Sequence, residues 1–180
     1  MSQAVLNQVQ TWLEQVVIGL NLCPFAQKPH RQGQIHYHVF EGTDDKQLLA
    51  EIYEQLEALE KTPIAERETT LFIVSHCLQD FHDYNDFLED AEWMLERTGW
   101  QGTFQIASFH PDYQFAGTLP QDAENLTNRA PYPIFHLLRE DSLAEAIEKF
   151  PDTESIPDTN IKRVQSLSPA EIKTLFPHLS

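Results

Sequence analysis

The sequence predicts an α/β fold: a single domain over residues 1–180, with a mainly parallel sheet of about four strands and flanking helices. Three observations carry this. Segments of helical period alternate with segments of strand character along the chain. The run from Leu71 to Val74 is nearly all apolar, as in a strand covered on both faces. A length of 180 residues with 41% hydrophobic content is enough for one substantial core without metal or disulfide support. A ferredoxin-like α+β sheet is the alternative, because nothing in the chain fixes the direction of the fourth strand.

The first element, 4–20, is an amphipathic helix with Val5, Val9, Trp12, Leu13, Val16, Val17 and Leu20 at helical spacing. Gly19 weakens its end, and Pro24 and Pro29 close it. "QIHYHVFEG" alternates as a strand, with Ile35, Tyr37 and Val39 on one face and His36, His38 and Phe40 on the other. Asp44 with Gln47 opens a helix whose buried stripe is Leu48, Leu49, Ile52, Leu56 and Leu59. "TTLFIVSHC" is the second strand. Asp80 caps a helix with the stripe Phe81, Tyr84, Phe87, Leu88, Ala91 and Leu95, stopped by Gly99. "TFQIASFHP" and, after a long loop, "PIFHLL" make the third and fourth strands. Ser142 with Glu145 starts a further helix, residues 151–165 read as a polar surface loop, and Ser168, Pro169 and Glu171 open the last helix. The first three strands are expected to be parallel.

Composition excludes several classes of function. The formal charge is −16 and the twelve Lys and Arg are scattered, so neither nucleic acid nor an anionic membrane is an expected partner. No apolar run reaches membrane-span length, and the N-terminus lacks the pattern of a signal peptide. Two distant cysteines, Cys23 and Cys77, point to a cytoplasmic location. No GxGxxG or P-loop is present, so no cofactor is expected in those modes. His36 and His38 share a strand face at a spacing that suits a metal, but no HExxH, CxxC or His–carboxylate spacing joins them, and no metal is assigned. Oligomeric state has no signal.

The stretch from His110 to Asp141, "HPDYQFAGTLPQDAENLTNRAPYPIFHLLRED", fits neither a helix nor a strand pattern over most of its length. In an open parallel sheet, ligands bind beyond the carboxyl ends of the strands. Those ends deliver Glu41, then Ser75, His76 and Cys77, then His110, Pro111 and Asp112, and the long loop leaves from the same edge. Arg129 is the one Lys or Arg between Arg97 and Arg139, with Asn125 and Asn128 beside it. A guanidinium fork there is suited to clamp a small anion; it is equally suited to an internal salt bridge with Asp112, Asp122 or Glu124. His110, at a strand end, is the candidate acid–base group, with Asp112 to orient it and Tyr113 as a hydroxyl donor. His136 reads as a satisfied core histidine. Cys23 reads either as a buried thiol or as a catalytic one; its place after a helix C-terminus raises a thiol pKa.

At "GLNLCPFA" and at "FHPDYQFAG…AENLTNRAPYPIFHLLRED" the chain resembles a bacterial family defined only as domain of unknown function 1415, over nearly its whole length. The resemblance implies a single-domain bacterial, cytoplasmic protein and brings no activity or catalytic residues. The residues themselves support a small enzyme acting on a small anionic metabolite. Its catalytic groups would be His110, Asp112 and Cys23, with Arg129, Asn125, Asn128 and Tyr113 as binding groups. A non-catalytic ligand- or protein-binding module and a metal-dependent hydrolase are the alternatives.

Overall fold

A computed structural model describes residues 2–150 and 152–179. Four strands form one sheet: β1 (Ile35–Phe40), β2 (Thr69–Val74), β3 (Phe104–Phe109) and β4 (Ile134–Arg139), in the order β1-β2-β4-β3. β1 and β2 are parallel, with Tyr37 opposite Leu71. β4 runs antiparallel to both β2 and β3. The first three strands therefore share a direction, as expected, but β4 lies between β2 and β3 and not at an edge. The sheet is mixed, which corrects the expectation of a mainly parallel one. The order of elements also departs from the ferredoxin-like βαββαβ pattern. A connection of more than twenty residues imposes no direction on the strand that follows it, so β4 was free to return antiparallel.

Helices α3 (Asp45–Lys61) and α4 (Phe81–Thr98) cover one face of the sheet. Their stripes, from Leu48 to Leu59 and from Tyr84 to Leu95, pack on Phe72, Val74, Phe135 and Leu137. Asp44 caps α3 by accepting from the Gln47 amide at 2.9 Å, and Asp80 caps α4. Gly99, at φ 79°, supplies the left-handed residue that ends α4. Both predicted caps are present. β2 is buried along its whole length, as its apolar run requires.

The opposite face carries α1 (Ser2–Trp12), which continues as a π-helical turn over Leu13–Ile18. The Gly19 amide reaches the Glu14 carbonyl at 3.0 Å, the i→i−5 bond of that wider turn. Short α2 (Gln27–Arg31) follows. α5 (Glu140–Lys149) begins directly from β4, two residues before the expected Ser142 start, and buries none of its residues. α6 (Ile156–Gln165) stands where a surface loop was expected. Its anchor is tertiary: Val164 is fully buried, and Asn160 Nδ2 donates to the Leu22 carbonyl at 2.7 Å. α7 (Pro169–Leu175) has the predicted capping box of Ser168 and Glu171. None of the described helices is long and apolar enough to cross a membrane.

Candidate functional site

The loop between β3 and β4 is wired to itself. Asn125 is completely buried; its Oδ1 accepts from the Phe115 amide at 3.0 Å and its Nδ2 donates to the Leu119 carbonyl at 2.8 Å. Asn128 Nδ2 donates to the Ser108 carbonyl at 3.1 Å. Arg129 donates from Nε to the Tyr113 carbonyl at 3.2 Å and from Nη2 to the Pro120 carbonyl at 2.7 Å. Loop carbonyls, and no carboxylate among the described residues, take the place of the internal salt bridge that the sequence also allows for Arg129. The Tyr113 ring packs between Phe81 and Phe115. A buried loop must satisfy its own backbone, and these polar side chains supply the partners that a helix or sheet would have given.

His110 is the centre of this wiring and is completely buried. Its Nδ1 accepts from the Asp112 amide at 3.0 Å, which assigns the proton to Nε2, and Nε2 donates to the Leu78 carbonyl at 3.0 Å. Leu78 sits at φ 53°, a left-handed position that costs a non-glycine residue about 1–2 kcal/mol, and His110 holds it there. Burial lowers the His110 pKa below the usual histidine range. Both ring nitrogens are committed to backbone, and it is the Asp112 amide, not its exposed carboxylate, that orients the ring. Near Arg129 and Asp112, His178 has a buried Nε2 with no hydrogen-bond partner among the described residues, its pKa pushed down to about 4, chiefly by burial.

The space for a ligand lies elsewhere, on the α1 side of the sheet. A cavity of about 460 Å³ has all four strands as its floor: Ile35, Thr69 and Leu71, Ala107 and Phe109, His136 and Leu138. Trp12, Leu13 and Val17 form one wall, the Cys23–Ala26 segment a second, and Leu143 and Ala146 of α5 with Phe150 just beyond it a third. Phe25 meets Phe150 edge to face across it, with ring centroids 6.0 Å apart. Thr69, Glu68 and Ile35 belong to the amino ends of their strands. The carboxyl-edge rule fails here because antiparallel β4 fills the place where a parallel sheet would open a crevice.

His136 occupies the middle of the cavity floor, opposite Leu71 on β2 and small Ala107 on β3. Thr69 Oγ1 lies 2.7 Å from both the Leu137 carbonyl and His136 Nε2. The carbonyl can only accept, so the hydroxyl proton goes to it and Nε2–H donates to the hydroxyl oxygen. That relay leaves Nδ1 with a bare lone pair, and no hydrogen bond engages it among the described residues. Burial alone lowers the His136 pKa to about 4, so the ring is neutral at pH 7. The partial exposure that it retains opens into the cavity. The sequence placed His136 in the core; the signal for its face was its register with Ile134 and Leu138, but nothing in sequence reveals the space above it.

Cys23 also lines the cavity. Burial pushes its thiol up, against the opposing effect of the nearby Phe25 and Ala26 amides. Cys77 packs beside the core on the opposite face of the sheet, and both cysteines are free. His38 pairs with Glu51 at 2.9 Å, and the described residues contain no cluster of three His, Cys, Asp or Glu that could hold a metal.

The two stretches that carry the family resemblance, around Cys23 and from His110 through His136, thus meet at one cavity. A family described as a protein of unknown function, DUF1415, matches residues 4–174. The chain belongs to the DUF1415 family. No curated protein and no solved structure matches it. For this DUF1415 member, Cys23 and His136 share the cavity, whereas His110, Asn125, Asn128 and Arg129 build the loop beside it; Trp12 links the two, donating from Nε1 to the Arg129 carbonyl at 2.9 Å.

Proposed function

We propose that this DUF1415 protein binds a small molecule in the cavity between α1 and α5, and that His136 is the group that accepts a hydrogen bond from it. The sequence assigned acid–base work to His110. The geometry favours His136, whose Nδ1 is uncommitted while both nitrogens of His110 are held by backbone. One observation carries the reading: a neutral imidazole, locked in one tautomer by Thr69 and Leu137, stands at the floor of an otherwise apolar cavity. Sites of this kind, mostly apolar with a few fixed polar groups, are the usual form of small-molecule pockets. An acceptor fixed in orientation before the ligand arrives also needs no reordering on binding. Cys23, with its thiol protonated, contributes shape and a weak donor to the wall. The two free thiols support a cytoplasmic setting.

The test is a fragment screen on the full chain, followed by amide and methyl NMR. Bound fragments are expected to shift the signals of Cys23, Ala107, Leu138 and Leu143. Shifts confined to the loop from Asp112 to Arg129 would move the site there and overturn the assignment.

A further inference from the structure

The hydrogen-bonding state of the floor says what kind of molecule fits, given the cavity site proposed above. We infer that the ligand is an uncharged phenol, its ring among Trp12, Phe109, Phe25 and Phe150 and its hydroxyl donating to His136 Nδ1.

The argument runs by elimination of charge. The cationic side chains around the cavity are Lys28, Arg139 and Lys149. Lys28 and Lys149 are exposed, and Lys149 is already 3.5 Å from Glu145. Arg139 turns Nη2 away to the carbonyls of Leu59, Thr62 and Arg67, where it completes the C-terminus of α3. No cation faces the floor, so a carboxylate or phosphate bound deep would lose its water without a counter-charge. The acids Glu68, Asp141 and Glu145 offset those cations, so the cavity as a whole has no preference for an anion. An ammonium ligand fares no better against His136, whose cross-strand neighbours Leu71 and Ala107 carry no charge. The polar feature at the centre of the floor is an acceptor, Nδ1, and a neutral donor satisfies it without bringing an uncompensated charge. Aromatic walls, including Trp12 and Phe109 edge to face at 5.3 Å, favour a ring as the body that carries it.

This class differs from the small anion expected from Arg129. The experiment titrates wild-type protein with 4-propylphenol, 4-propylanisole and 4-propylbenzoate by calorimetry, with NMR to locate each. The three share an alkyl-aryl body and differ in donor and charge. The phenol is expected to bind at least tenfold more tightly than either comparator, with shifts at Cys23, Ala107 and Leu138. In H136F its advantage over the anisole should vanish. Benzoate or anisole binding in the cavity as tightly as the phenol would overturn the ligand class and leave the site standing. Absence of all three from the cavity would overturn the site as well. The wild-type comparison holds even if H136F fails to fold.

Discussion

Replacing His136 with phenylalanine isolates what a buried neutral imidazole does to stability as pH changes. In the unfolded chain the ring takes up a proton near pH 6.5, whereas in the fold burial lowers that to about 4. A depressed histidine pKa stabilises the fold fully above the unfolded value. That stability is lost as pH falls from 6.5 towards 4, because the unfolded chain binds the proton first. A gap of this size corresponds to on the order of 3 kcal/mol, from about 1.36 kcal/mol per pH unit. Roughly 2 kcal/mol of it is lost by pH 5. Phenylalanine is somewhat larger, but the cavity over the ring can take the added volume and Thr69 stays bonded to the Leu137 carbonyl, so H136F should cost within about 1 kcal/mol at pH 7.5. Urea unfolding of both proteins at pH 7.5 and 5.0 gives a double difference in which the carboxylates and other histidines cancel. The wild type should lose about 2 kcal/mol more than H136F over that interval. Equal losses would mean that His136 titrates normally, and the argument for a neutral imidazole at the cavity floor would fail.

Two further perturbations separate the loop from the cavity. His110→Ala removes the side-chain partner of the Leu78 carbonyl and the Asp112 amide and opens a void at a completely buried position, so thermal unfolding should show a loss of about 2–4 kcal/mol; an unchanged melting temperature would contradict the role of a backbone tie. Because burial keeps the Cys23 thiol protonated, iodoacetamide should label it at least tenfold more slowly at pH 7 than a free small thiol, and a cavity ligand should slow it further. Rapid labelling unaffected by ligand would place the thiol outside the cavity.

Much of the fold was legible because local chemistry decided it. Asp44, Asp80, Gly99 and Ser168 each end or start a helix where their side chains or backbone freedom dictate. β2 reads as central because its six residues tolerate no water-facing side. α6 was not legible: its sequence is polar and proline-bearing, and only the tertiary contacts of Val164 and Asn160 make a helix there. Nor was the position of β4, which depends on how a long loop folds back. The loop is legible as unusual, but the hydrogen bonds that Asn125, Asn128 and Arg129 make to backbone carbonyls and amides depend on how it folds back and leave no pattern in the sequence. Cys23 stands out in the sequence and lies in the cavity wall; His136 reads as core because its burial is real and the cavity over it depends on where α5 comes to rest.

The protonation state of His136 is the point on which the cavity and its ligand both turn. Long-range proton–nitrogen NMR on the ring reads it directly. The structure predicts a proton on Nε2, a bare Nδ1, and no change in either signal from pH 8 down to about 5. A proton on Nδ1, or titration near the ordinary histidine value, would contradict it.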